Sequence, residues 1–181
     1  KFGRLDVLVP NAGVASIYNA FLDETEESYN NIMDTNLKSV FFLIQEAVPH
    51  LEKTKGNIIT ISSIATSMVV PSATVYSFGK VALDHLTRCL AVDLGSKGIR
   101  VNSVNPGYFA TLILRHIEGY EVFGKQLEEA ARAGQPLKGK VGVPKDVAEA
   151  VVFLASDAAA FITGEHVKVD GGRNFVGAQP W

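Results

Sequence analysis

The chain has 181 residues, 47% of them hydrophobic, with a formal net charge of -2, which suits one domain with a core of its own. Such a balance offers no basic surface to nucleic acid or an anionic membrane. The residues present contain neither a charged-then-apolar leader nor an apolar run able to span a bilayer, so a soluble protein is expected. The single cysteine, Cys89, cannot form an internal disulfide and fits a reducing, cytoplasmic setting. Its apolar helical surroundings predict a buried, inert thiol.

Leu5, Val7, Leu8 and Val9, closed by Pro10-Asn-Ala-Gly13, form a nearly continuous apolar run, as expected of a parallel strand buried on both faces. Acidic residues at 23–27 then precede Ile32, Leu37, Val40, Phe41, Ile44, Ala47, Val48 and Leu51, a helical pattern with acid at its start. The β-branched run in Asn57 to Ser63 predicts a strand ending in two serines. A loop of small residues from Ala65 to Thr74 would make an apolar pocket wall. The helix from about Val75 to Ser96 carries two apolar faces, Phe78/Ala82/Cys89 and Leu83/Leu90/Leu94, which implies cover from more than one side.

Gly98 to Val104 predicts the next strand, ending in Asn105-Pro-Gly107. Residues 112–140 suggest one or two less firmly patterned helices. A helix from Pro144 to Ser156 would bury Val147, Ala148, Val151, Val152 and Ala155, with Pro at its first position. Val143 has no side-chain oxygen to cap it. The last strand, Glu165 to Val169, leads into Asp170-Gly-Gly172. Strands alternating with helices indicate an α/β fold with a parallel sheet. The histidines at 50, 85, 116 and 166 show no paired ligand spacing, so no metal is expected.

Tyr76 and Lys80 are four residues apart, one turn on the same helix face. A free phenol, with a pKa near ~10, exchanges protons poorly at neutral pH; a fixed cation beside it favours the phenolate. Ser63, at the mouth of the preceding strand, could hold a carbonyl oxygen as charge develops on it. A Tyr-x-x-x-Lys match alone arises by chance in roughly one such chain in three, so its surroundings decide.

Lys55-Gly-Asn-Ile-Ile-Thr-Ile-Ser-Ser63, followed by Tyr76 and Lys80, resembles the short-chain dehydrogenase/reductase family, in which a serine precedes the tyrosine by thirteen residues. Four further segments match in order: Leu5 to Gly13, Asn36-Leu-Lys-Ser-Val-Phe41, Arg100 to Gly107 with Thr111, and Thr163 to Gly172. The resemblance implies a Rossmann-like, doubly wound parallel sheet, here its C-terminal part, with about four strands and flanking helices. The whole of 1–181 is then a single incomplete domain, with 108–140 as a lid over the substrate.

By the same resemblance the reaction interconverts a secondary alcohol and a ketone with NAD or NADP. Tyr76 is the acid/base, Ser63 steadies the oxygen, and Lys80 tunes the phenol and holds the nicotinamide ribose. Asn36, at a helix irregularity, fixes a water that relays protons to Lys80. Asn11, Ala12, Gly13, Pro106, Gly107 and Thr111 join Tyr76 and Lys80 around the cofactor. Ala65 and Tyr108 join Ser63 and Tyr76 around the substrate, while Tyr108, Phe109, Ile113 and Ile117 serve equally well as substrate contacts or as core. A homodimer or homotetramer is implied.

Two departures are visible. No two glycines are spaced as Gly-x-Gly, so the turn that cradles a pyrophosphate is expected in about 80 to 90 further residues upstream, together with the residue selecting NAD or NADP. Pro10 replaces the first Asn of the family's Asn-Asn-Ala-Gly, removing a backbone donor. The rival expectation is a non-catalytic, truncated subunit acting as an interaction or dimerisation module.

Overall fold

The computed structural model describes residues 2–15, 20–115, 117 and 119–176. Four strands, β1 (Val7–Leu8), β2 (Asn57–Ile61), β3 (Arg100–Pro106) and β4 (His166–Val169), form one parallel sheet in the order β1-β2-β3-β4. Leu8 pairs with Ile58, Ile58 with Val101, and Val104 with Val167. The helices are α1 (Glu26–Met33), α2 (Ser39–Thr54), α3 (Thr74–Gly95), α4 (Tyr120–Gly134) and α5 (Pro144–Ala155).

Alternation along β2 fixes the layers, since successive side chains point to opposite faces. Ile58 packs with Val101 against Val40, Ile44 and Leu51 of α2 and Leu83 and Leu94 of α3. Ile59 packs with Val104 against Leu154 of α5. Both faces of the sheet are therefore covered, as a doubly wound sheet requires. The four strands are shorter or shifted relative to the sequence pattern, because pairing stops where the neighbouring strand stops. Ser62 and Ser63 lie just past β2, although the Ser62 amide still donates to the Val104 carbonyl at 2.8 Å.

α1 and α2 continue one another through a π-helical segment, Asp34–Lys38. Thr25 caps the run by accepting from the Ser28 amide, with Glu26 and Glu27 in the first turn. α2 ends on Lys55 in the left-handed conformation (φ 51°). Gly56 follows, and a Cβ there would press on the Asp6 carbonyl and lie 2.9 Å from Leu51 Cδ2. Gly56→Ala should therefore lower stability by about 1–3 kcal/mol. Urea unfolding reads this directly, and an unchanged midpoint would show that β1 is not clamped at this junction.

α5 lacks a side-chain oxygen at Val143, and Asp146 substitutes by accepting the Val143 amide at 2.8 Å. At its other end Arg100 donates to the Leu154 carbonyl at 2.9 Å.

Two burial expectations are corrected. Ala148 and Val152 face solvent, Val152 at 62% exposure, and the packed residue is Leu154 at 0%. The buried stripe of α5 thus runs through Val147, Ala150, Val151 and Leu154. Cys89 is exposed, not buried, because only the Leu83/Leu90/Leu94 face of α3 meets the sheet. Phe78, Val81 and Val92 on α3, with Phe41 and Phe42 on α2, are exposed in the protomer. Among the described residues no helix is long and apolar enough to cross a membrane.

Candidate active site

Apart from Tyr76, which lies one turn before Lys80 in α3, the residues singled out for chemistry follow the carboxyl end of a strand or bond to such a segment. This is the edge at which open α/β sheets bind ligands. Residues 9–15 follow β1, Ser62 and Ser63 follow β2, Gly107 follows β3, and Asp170 follows β4.

Asn36 lies in the π-helical segment, an irregularity where it was expected, and is fully buried. Its Oδ1 accepts the Val14 amide at 2.9 Å and its Nδ2 donates to the Val14 carbonyl at 2.8 Å. The side chain thus pins the segment after β1 onto the helix. A Cβ on Gly13 would stand 3.4 Å from Asn36 Oδ1 and 4.0 Å from Lys80 Nζ, in ordinary contact, so the missing side chain leaves about one carbon's room beside the amide and the ammonium. Asn11 and Ala12 are exposed just before it.

Lys80, in α3, is 4% exposed, and its Nζ donates to the Ile61 carbonyl at 2.8 Å, at the end of β2. Burial pushes its pKa down from 10.5 to about 8, with Asp84, one turn on, opposing that shift. The ammonium lies 5.7 Å from the centroid of the half-buried Tyr76 ring, within the range of a cation over an aromatic face. Among the described residues one of its three protons is taken by Ile61, and the other donors remain beside the space left by Gly13.

Ser63 sits in extended conformation (φ -165°, ψ 155°) as the cap of the short turn Ile64–Thr66. Its hydroxyl accepts the Ala65 amide at 3.1 Å. Acting as acceptor there, it keeps its own proton, for which the described residues provide no acceptor. Its carbonyl is held by the Thr66 hydroxyl at 3.0 Å and Asn105 Nδ2 at 3.2 Å. Ala65 is buried at 8% exposure and serves Ser63 through its backbone.

Pro106 ends β3 opposite Val169, and the Gly107 amide donates to the Val169 carbonyl at 2.9 Å. A Cβ on Gly107 would meet Asp170 at 3.1 Å and Ile64 Cδ1 at 3.8 Å, so glycine lets the loops after β2, β3 and β4 approach closely here. Thr111 is exposed and its hydroxyl accepts the Ile113 amide at 3.4 Å. The Ile113 carbonyl in turn accepts the Ala15 amide at 3.4 Å, joining the loops after β1 and β3.

The Tyr108 hydroxyl donates to the Gly124 carbonyl of α4 at 2.9 Å. With Phe109, Gln135, Asp170 and Arg173 it lines a cavity of about 140 Å³ that Ser63 and Tyr76 do not line. Ile117 is buried at 9% exposure.

Sequence reasoning passed over Asp84 and Asn105, which back the site. Asp84 follows Lys80 at helical spacing, and Asn105 immediately precedes the Pro-Gly already singled out. Both were legible as polar residues on buried elements. Among the described residues no three His, Cys, Asp or Glu side chains gather as a metal would need.

The family model described as Enoyl-(Acyl carrier protein) reductase matches residues 1–174. An uncharacterized oxidoreductase of Methylorubrum extorquens is 43% identical over 172 residues, 95% of this chain and 67% of that protein. Versicolorin reductase of Emericella nidulans is 40% identical over 177 residues, 94% of this chain and 66% of that protein. A 3-ketoacyl-(acyl-carrier-protein) reductase of Brucella melitensis, solved with NADH, superposes with a TM-score of 0.86 at 28% identity, covering 96% of this chain and 69% of that one. The chain thus spans about two thirds of the length of these curated relatives. With this match across nearly all its residues, and with the strand order and site placement described above, the chain belongs to the short-chain dehydrogenase/reductase family.

Proposed function

We propose that the protein interconverts a secondary alcohol and its ketone with NAD or NADP. The observation that carries this reading is the Ser63 hydroxyl, which retains a proton to donate beside a turn of α3 holding Tyr76 over a buried ammonium. The residues fit a nicotinamide nucleotide: Lys80 has donors to spare beside Gly13, and the exposed Thr111 starts the turn whose Ile113 carbonyl accepts the Ala15 amide. When bound, the cofactor supplies the hydride acceptor or donor.

Tyr76 gives its proton to the substrate oxygen in the reducing direction and takes one in the oxidising direction. Ser63 donates a hydrogen bond to that oxygen, where negative charge grows as the carbonyl bond breaks. The Lys80 charge favours the phenolate, and its remaining N–H groups would hold the ribose hydroxyls. The Asn36 side chain is spent on Val14, so its contribution is to fix the segment that would hold the cofactor, with any water relay resting on main-chain groups of the π-helical segment. Pro106, Gly107 and Thr111 would hold the nicotinamide end, and the described residues of 108–140 would cover the substrate. The exposed apolar residues of α2 and α3 fit burial against a second copy, giving a homodimer or homotetramer.

The test is consumption of NADH or NADPH with a panel of ketones. Ser63→Ala should lower kcat about 10²- to 10³-fold with cofactor affinity unchanged. Neither turnover nor nicotinamide binding would favour a non-catalytic interaction module instead. A Ser63→Ala variant within about twofold of wild type would remove Ser63 from the reaction.

A further inference from the structure

A chain of hydrogen bonds runs from the outer side of α3 to the turn that carries Ser63. Arg88 Nη1 lies 2.8 Å from His166 Nε2 on β4. A guanidinium only donates, so Nε2 must accept, and the one proton of the neutral imidazole sits on Nδ1. That nitrogen is 2.8 Å from Ser103 Oγ. The hydroxyl accepts there and passes its own proton to Asn105 Oδ1, 2.6 Å away. With its oxygen so engaged, the Asn105 amide must turn its nitrogen to the other side. Nδ2 donates to Asp84 Oδ2 at 2.9 Å and reaches the Ser63 carbonyl and Thr66 Oγ1, each at 3.2 Å. Ser103, Asn105 and Asp84 are all buried, at 0%, 1% and 7% exposure. The cation at the outer end sets the imidazole tautomer, and the Asp84 carboxylate and Ser63 carbonyl, which only accept, set the Asn105 amide; Ser103 Oγ also lies 3.5 Å from Asp84 Oδ1, the longer of its two routes.

We propose that Arg88, His166, Ser103, Asn105 and Asp84 form a positioning relay that fixes the Ser63–Thr66 turn, so that the placement of the Ser63 hydroxyl depends on His166 staying neutral. This deepens the reading of Ser63 as the group that meets the substrate oxygen and rests on it. None of the five touches the reacting atoms by this argument; each acts through the Ser63 backbone.

The groups facing His166 define how the relay responds to pH. From α3 come Arg88 and Asp84, the latter with Oδ1 3.7 Å from Nδ1. β3 contributes the neutral Ser103, and the strand itself Glu165 and Lys168. The other arm of Arg88 is held 3.2 Å from His85 Nδ1. Burial is the largest influence and lowers the His166 pKa; Asp84 and Glu165 oppose it, while Arg88 and Lys168 act with it. Once protonated, Nε2 would point a hydrogen at the Arg88 donors. The imidazolium would be drawn toward Asp84, which then shares its oxygens between two donors and holds the Asn105 amide less firmly.

Nitrogen-15 correlation spectra of the histidine rings at neutral pH should show His166 as the Nδ1–H tautomer. Arg88→Met removes both the donor and the charge from an exposed position, so folding is not at stake. It should move the acid limb of kcat to higher pH by roughly half to one unit, leaving KM for the cofactor unchanged. Arg88→Lys, which restores donor and charge, should bring the limb back. Ser103→Ala should lower kcat about tenfold with cofactor affinity unaltered. An Nε2–H tautomer, or an Arg88→Met profile superimposable on that of wild type, overturns the relay. If wild type itself reduces no ketone, the Ser63 reading fails instead, and the tautomer still judges the relay.

Discussion

Replacing Tyr76 by Phe is expected to lower kcat at least about 10³-fold, within the range for losing a positioned acid/base group, with nicotinamide affinity held within about twofold. The substitution is unusually clean here. Phe keeps the half-buried ring and its place one turn from Lys80, whose ammonium lies 5.7 Å from the ring centroid. Only the hydroxyl oxygen goes, so α3 keeps its packing on the sheet. Steady-state turnover and a fluorescence titration of the reduced cofactor separate the two quantities. Retention of kcat to within about tenfold would take proton transfer away from Tyr76. The double variant with Ser63→Ala should fall little further than Tyr76→Phe alone, because both hydroxyls serve the same oxygen and such groups act as a unit.

What the sequence displays of the structure depends on the kind of signal. Strand runs such as Ile58-Ile-Thr-Ile61 and the apolar positions of α2 and α3 follow from backbone geometry, and periodicity displays that directly. Their ends do not follow, because a parallel strand ends where its neighbour ends: β3 runs on to Pro106 only because Val169 lies beside it. Periodicity also shows that α3 has two apolar faces without showing which is covered, so the pattern puts Cys89 inside although it is exposed. The Ser63, Tyr76 and Lys80 set could be picked out because its spacing is local and the family resemblance is dense around it. The backing residues escaped notice for the opposite reason. Asp84 and Ser103 are 19 positions apart, and Arg88 and His166 are 78 apart, so only the closed sheet brings them together. Asn36 falls between: resemblance indicated an irregular helix, but its bidentate hold on Val14 is a tertiary fact.

Lys80→Met should remove activity by a comparable factor, about 10³-fold, and should also change the pH dependence of stability in a direction set by burial. In the folded chain the ammonium is desolvated and its pKa falls from 10.5 to about 8. Below pH 8 both folded and unfolded chains hold the proton, and the fold bears the whole cost of the buried charge. Between about 8 and 10.5 the unfolded chain holds a proton that the folded chain has released, so stability rises with pH across that window. At 1.36 kcal/mol per unit the gain is roughly 3 kcal/mol. The variant has no such group and should lose that rise, which urea midpoints taken from pH 8 to pH 10 on both proteins would reveal as a difference in slope. The slope is the better measure than the level, since removing Lys80 also strips the Ile61 carbonyl of its donor, a cost of about 1–3 kcal/mol that does not vary with pH. Parallel curves for the two proteins would mean that the ammonium is solvated in the folded chain, and the case for a buried cation supporting the Tyr76 phenolate would go with it.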